Sequence, residues 1–192
     1  MKWFLFATMY LLVACQTPEL ATGVETVVYD LEPETRSYQD VLKKYLRSDT
    51  VFSNYETLYV LNVTAFLPEF QQAFKKMNEE RFSELDLLKN IKSAPLFFVS
   101  IYSPHDDLNN LSNGKIWEFV LKVGIREFPV KVITKLNDKD TWSSFFPFIN
   151  RWSSDYLLTF DIPDFDKSGA PDQLSLLLTN ARAKTSISWQ AR

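Results

Sequence analysis

Glycine occurs four times in 192 residues, and cysteine and histidine once each. Each scarcity excludes something. A single cysteine cannot form an intramolecular disulfide, so packing alone must hold the fold. The lone His105 removes histidine-based metal sites and most hydrolytic triads. No glycine-rich phosphate loop and no G-x-S-x-G nucleophile elbow occurs. The 21 basic and 24 acidic side chains leave a formal charge of −3 with no basic block, so nucleic acid is not an expected partner. Rings, by contrast, are abundant: sixteen Phe, eight Tyr and five Trp. A chain rich in large apolar side chains and poor in flexible ones is expected to bury a substantial core.

The N-terminus carries the most specific signal. Lys2 precedes an apolar stretch from Trp3 to Ala14 that is too short to span a bilayer. It ends in Leu12-Val13-Ala14-Cys15, which looks like the lipobox of bacterial lipoproteins. That resemblance implies a diacylglycerol on the Cys15 sulfur, cleavage after Ala14 and acylation of the new N-terminus. The competing reading is an ordinary secretory signal cut elsewhere. Against it stand the small residue directly before Cys15, the absence of a second cysteine, and the polar, Pro- and Gly-containing run Gln16 to Gly23, which suits a tether. Two or more acyl chains anchor a protein stably where one does not. An extended tether of this length reaches roughly 25 to 30 Å, so the domain is expected to stay near its bilayer. Gln16 in place of Asp after the cysteine implies, by the same resemblance, the outer membrane, with the protein facing the periplasm. The expected organisation is a signal peptide over residues 1–14, a lipidated tether over 15–23 and one β-rich domain over 24–192, a length that one core can serve.

Within that domain, Val24 to Tyr29 has strand composition, and Pro33 interrupts the chain after it. Ser37 with Asp40 suggests a helix cap, and Tyr38, Val41, Leu42, Tyr45 and Leu46 recur at helical spacing, leaving Lys43, Lys44 and Arg47 to water. Tyr55 to Leu67 is a β-type run ended by Pro68, which opens a helix carrying Phe70, Ala73, Phe74 and Met77. A further helical segment is expected from Ser83, with Leu85, Leu88 and Ile91 on one side. From Ala94 the period falls to two. Strands are expected at Leu96 to Tyr102, at Lys115 to Val123 with Trp117, Phe119, Leu121 and Val123 inward, at Phe128, Val130 and Val132, and at Tyr156 to Ile162, with Gly124 marking a hairpin turn. Trp142, Phe145, Phe146 and Ile149 can share a short helical face near Pro147, and Leu174 to Thr179 with Lys184 to Trp189 form a closing pair. Seven or so strands with antiparallel turns predict a mainly β protein, an antiparallel β-sandwich of immunoglobulin-like or related form with helical insertions, chiefly Pro68 to Ile91. The alternative is an α+β fold with helices on one face of a sheet.

Three segments invite a chemical reading. His105 lies beside Asp106 in a turn-rich loop, where a solvated histidine is expected rather than a catalytic one, because no nucleophile motif accompanies the pair. Asp164 to Gly169 matches the first half of a calcium loop, but Ser175 stands where a bidentate glutamate is required and Pro171 interrupts, so a polar connection is expected. Thr141 to Trp152 concentrates aromatics that suit a sugar-stacking platform or a protein hot spot, though such clusters more often pin a loop to a core. Asn62-Val63-Thr64 and Asn110-Leu111-Ser112 fit the glycosylation acceptor pattern, which is short enough to arise by chance.

The block YLRSDTVFSNYETLYVLNVTAFLPEFQQAF, followed by FFVSIYSP, KIWEFVL, INRWSSDYLLTF and a C-terminal SISW, resembles a family of uncharacterised bacterial lipoproteins from about Tyr38 to Trp189. The resemblance implies an anchored β-rich domain and no particular activity. The expected function is therefore that of a non-enzymatic, membrane-anchored envelope lipoprotein that binds a protein or another envelope component. A carrier of a small apolar ligand or sugar is the alternative, and a hydrolase of unrecognised type is third. Cys15 is the expected lipid-attachment residue. No catalytic residue, metal or cofactor is expected.

Overall fold

The computed structural model describes residues 33–81, 95–163, 165 and 173–190. The expected strand at Val24 to Tyr29 and the helical segment from Ser83 to Ile91 lie outside the described residues.

Helix α1 spans Pro33–Tyr45. It starts at the proline expected to interrupt the chain, not at Ser37. A proline in the first helical turn lacks only an N–H that has no intrahelical acceptor there, and its φ is already helical. Tyr38, Leu42 and Tyr45 are buried as the spacing predicts. Leu46 and Arg47 leave the helix, however, and begin β1, Leu46–Ser53. This strand was hidden because it lies at the sheet edge, most of its side chains meet water, and its apolar residues do not alternate regularly.

Asn54 and Tyr55 turn the chain with φ of 51° and 66°. Two successive left-handed residues are the signature of the two-residue turn whose twist suits a hairpin. Tyr55 is therefore a turn residue rather than the start of the next strand, β2, Glu56–Ala65. Helix α2 follows at Pro68–Arg81, with Phe70, Phe74 and Met77 buried. The remaining strands are β3 (Leu96–Tyr102), β4 (Glu118–Val123), β5 (Arg126–Leu136), β6 (Ser154–Phe160), β7 (Gln173–Thr179) and β8 (Lys184–Gln190), with a five-residue helix α3 (Lys139–Ser143) between β5 and β6. The Asp138 side chain caps α3 by accepting from the Thr141 N–H at 3.1 Å. The protein is mainly β. Its eight described strands form one antiparallel sheet in the order β1-β2-β3-β6-β5-β4-β7-β8, with β1 coming against β8.

Strand β5 makes this bending possible. Arg126 to Pro129 pair with β4, and Val130 to Leu136 pair with β6. Between Val130 and Val132 the register shifts, leaving Lys131 without a cross-strand partner in β6. Bulges of this kind bend and twist a strand where a sheet turns a corner. The shift also reverses the expected alternation. Val132, expected inward with Phe128 and Val130, is 49% exposed.

Cross-strand pairing puts Leu61, Val63, Phe97, Val99, Tyr156, Leu158, Phe119, Leu121, Leu176, Leu178 and Trp189 on the enclosed face, all buried. Contacts bridge strands far apart in the order. The Tyr59 ring lies 5.3 Å from that of Trp117, Phe97 lies 5.3 Å from Trp189, and the Tyr59 and Thr185 hydroxyls hydrogen-bond at 2.9 Å. A second aromatic cluster covers part of the opposite, outer face of β2, β3 and β6. Phe98 of β3 stacks on Phe146 at 3.9 Å and 12°, Phe74 of α2 meets Phe145 at 4.6 Å, and the Tyr38 hydroxyl of α1 donates to the Phe145 carbonyl at 3.2 Å. All three described helices contribute to this cluster, as Trp142 of α3 lies 6.1 Å from Phe98.

Trp117 sits one residue before β4, which starts at Glu118 rather than Lys115. It is buried, packs on Tyr59 and Phe119, and donates its indole N–H to the Leu108 carbonyl at 3.1 Å. Truncating large core aromatics costs about 3 to 5 kcal/mol. Trp117→Ala is expected to lower stability by that amount in urea denaturation, and a loss under about 1 kcal/mol would contradict its core role. Conversely, Tyr55→Gly should raise the unfolding free energy by about 1 kcal/mol, read as a higher urea midpoint, because glycine takes the left-handed conformation without the steric cost that tyrosine carries.

Candidate functional site

The expected lipid-attachment residue, Cys15, lies outside the described residues, as does the loop from Asp164 to Gly169 except for Phe165, which packs half-buried against the core. His105 precedes a 3-10 turn at Asp106–Asn109. It is half-buried, not fully solvated as expected, because its loop closes one end of the bent sheet. Leu108 and Leu111 are buried there, the Tyr156 hydroxyl donates to the Asn109 carbonyl at 2.7 Å, and the Ser103 hydroxyl donates to the Leu58 carbonyl at 2.6 Å. The loop is a plug. The Ser103, Tyr156 and Trp117 side chains all donate to backbone carbonyls here.

The aromatic stretch Thr141 to Trp152 divides. Trp142, Phe145, Phe146 and Ile149 are core, as the commoner fate of such clusters predicts, whereas Trp152 is 63% exposed with the Arg151 guanidinium 4.5 Å from its ring centroid. The turn holding it is fastened from below. The Lys139 ammonium donates to the carbonyls of Asn150 at 3.0 Å, Arg151 at 3.2 Å and Ser153.

The outer face of β1, β2, β3 and β6 is organised in transverse rows, because directly paired residues of antiparallel strands share a face. The row Thr64, Phe98 and Leu157 is buried with the aromatic cluster. Next comes a polar row, Ser48, Asn62, Ser100 and Asp155. Ser48 donates to the Asn62 side-chain carbonyl at 2.7 Å, and at the buried end Asp155 is 1% exposed. Beyond it lie Thr50, Val60 and Tyr102, then Phe52 opposite Thr57. None of the described helices has a ring contact with this far half. Tyr102 is 41% and Phe52 is 65% exposed. Pairing of Ile101 with Ser154 brings the Trp152 turn beside Tyr102. None of Ser48, Thr50, Phe52, Thr57, Val60, Asn62 and Tyr102 is ionisable near neutral pH, whereas the exposed outer sides of β4 and β8 carry Glu118, Lys122 and Lys184. Only the tertiary arrangement reveals this neutral aromatic surface, since its residues come from separate strands with no shared motif.

Asp155 is a buried carboxyl on this face with a raised pKa. Burial lifts its pKa above the ordinary 3.8, and hydrogen bonds from the Ser100 and Ser153 hydroxyls and the nearby Lys139 charge offset only part of that. The Ser153 bond is 3.2 Å long, and the second carboxyl oxygen has no partner among the described residues. Residues of this kind sometimes mark active sites, but here the neighbours are hydroxyls and the carboxyl is shut from solvent. Among the described residues no group of three or more His, Cys, Asp or Glu side chains is placed to hold a metal ion.

A raised folded-state pKa means that the native protein holds this proton longer than the unfolded chain. Stability therefore falls as pH rises from the ordinary value of 3.8 through the folded-state value. Asp155→Asn should remove that falling limb. Its melting temperature is expected to match the wild type near pH 3 and exceed it at pH 7, by about 2 to 4 °C for each kcal/mol recovered. A variant less stable than wild type at pH 7 would mean that the carboxylate itself, not merely a polar group, is required.

In comparisons with known proteins, the chain matches no family model, no curated protein and no solved structure.

Proposed function

We propose that the protein is a non-enzymatic lipoprotein of the bacterial envelope, anchored through acylated Cys15 to the outer membrane and facing the periplasm, whose β-rich domain binds another envelope component. The anchor reading rests on Leu12-Val13-Ala14-Cys15 and the polar tether after it. No helix among the described residues is long and apolar enough to cross a membrane.

The observation that carries the binding reading is the uncharged, ring-bearing half of the outer face, where Phe52, Tyr102 and Trp152 meet water beside Thr50 and Asn62. Clustered exposed rings cost solubility, and surfaces keep them where they are used. An internal carrier is less favoured, because Tyr59, Trp117, Phe97 and Trp189 occupy the space that a ligand would need. Hydrolysis is less favoured too, since His105 belongs to the plug and Asp155 lies beneath the surface.

The bent sheet itself is read as a β-sandwich. Its supports are the change of partner along β5 and the contacts that Tyr59 makes with Trp117 and Thr185 across the interior.

Serine lacks the sulfur that a thioether requires, so Cys15→Ser is expected to leave an unacylated precursor. Metabolic labelling with a clickable fatty acid, followed by membrane fractionation, checks this. Equal labelling of variant and wild type would remove the anchor and the location drawn from it.

A further inference from the structure

We infer that the free half of the outer face, with Phe52 and Tyr102 on the sheet and Trp152 beside them, is a binding platform for a neutral saccharide chain of the envelope. This rests on the reading of the protein as an anchored binding module and names the component it binds.

The geometry comes from pairing. Phe52 stands on β1 and Tyr102 on β3, two strands away and two residues further along, so their backbones lie about 12 Å apart at ordinary strand spacing and rise. The turn of Trp152 leads into β6, the strand beside β3, whose Ser154 pairs with Ile101. Three partly exposed rings thus follow one another along one rim. Hydrogen-bonding groups lie between and beside them in the Thr50 hydroxyl and the Ser48–Asn62 pair. A pyranose ring has the matching character: an apolar C–H face that stacks on aromatic rings, and equatorial hydroxyls that need neutral donors and acceptors.

Charge and area separate this occupant from others. Anionic lipid headgroups and nucleic acid require clustered cations, and the sheet part of the platform has none. Of the bases at the Trp152 turn, Arg151 lies over the Trp152 ring and Lys139 is bound to the carbonyls of Asn150, Arg151 and Ser153. A stable protein partner or second copy needs about 800 Å² on each side, contributed by roughly 20 to 30 residues. Six side chains at one rim fall well short of that, but suffice for two or three sugar rings.

The experiment titrates the full lipidated chain, in a non-glycosidic neutral detergent, with the β-1,4-linked tetramer of N-acetylglucosamine, following tryptophan fluorescence and heat. Saturable binding is expected. Tyr102→Ala and Phe52→Ala should each weaken it about tenfold, equivalent to about 1.4 kcal/mol. Tyr102→Phe, which keeps the ring, should stay within about threefold of wild type, and so should Ile125→Ala, at the exposed tip of another hairpin. A flat titration overturns the inference, as does binding indifferent to the ring variants. Ring-dependent binding of the soluble domain to phosphatidylglycerol vesicles without saccharide binding overturns it in favour of a lipid surface. Ring-dependent dimerisation in sedimentation without saccharide binding overturns it in favour of a second copy. If the titration is flat while labelling shows Cys15 acylated and the chain in the membrane fraction, the saccharide inference fails and the anchor stands. If Cys15 carries no acyl chain, the anchor reading fails whatever the titration gives.

Discussion

Everything in this fold depends on one strand serving two sets of neighbours. Strand β5 pairs with β4 through Arg126 to Pro129 and with β6 through Val130 to Leu136, and the register shift at Lys131 lets the ladder turn between them. Without that turn the eight strands would present a broad apolar face to water. With it, the face closes on itself and buries Tyr59, Phe97, Phe119, Leu176 and Trp189. Burial of such side chains is worth about 1.5 to 3 kcal/mol each relative to exposure, and a chain with one cysteine has no covalent substitute for it.

Enclosing one face leaves the other to be dealt with. Where β4, β7 and β8 face outward, Glu118, Lys122, Ser175, Lys184 and Ser188 meet the solvent directly. Where β2, β3 and β6 face outward, Phe98 and Leu157 require a cover, and the rings of α1, α2 and the α3 loop supply it. The cover reaches only as far as the polar row that ends at Asp155. There Ser100, Ser153 and Lys139 accommodate a carboxyl that burial makes harder to ionise, and the Asn150 to Ser153 turn is fastened above the sheet. Among the described residues, the helices stop short of the surface beyond, where Phe52 and Tyr102 are exposed.

Buried polar groups are spent on structure: Trp117 and Tyr156 tie down the plug, Trp189 donates to the Tyr45 carbonyl at the end of α1, and Tyr59 bonds Thr185. Burial raises the pKa of Tyr38, Tyr59 and Tyr156, so these phenols remain neutral donors at any ordinary pH. On the surface, the Lys44 ammonium and the Tyr45 hydroxyl hold Glu69 below its ordinary range and link α1 to α2. Such exposed pairs orient elements more than they stabilise them.

Local pattern alone was enough for much of this. β-type composition marks β2, an apolar run β3, alternation β6 and the closing pair β7 and β8, the helical stripe marks Phe70, Phe74 and Met77, and the buried fate of Trp142, Phe145 and Phe146 follows from their spacing. In α2, β7 and β8 the signal is visible because one side is buried, which imposes the element's own period on its residues, whereas β3 is buried on both faces and reads as a continuous apolar run. Edge strand β1 has no clear pattern because it is largely solvated, α1 starts at Pro33 rather than Ser37 because a proline suits the first helical turn, and Val132 turns outward because a bulge resets alternation without a residue type of its own. The rim of Phe52, Tyr102 and Trp152 was beyond reach for a deeper reason. Its members are separated by tens of residues, and only strand order and register, which depend on long-range pairing and on how the enclosed core fills, bring them to one surface.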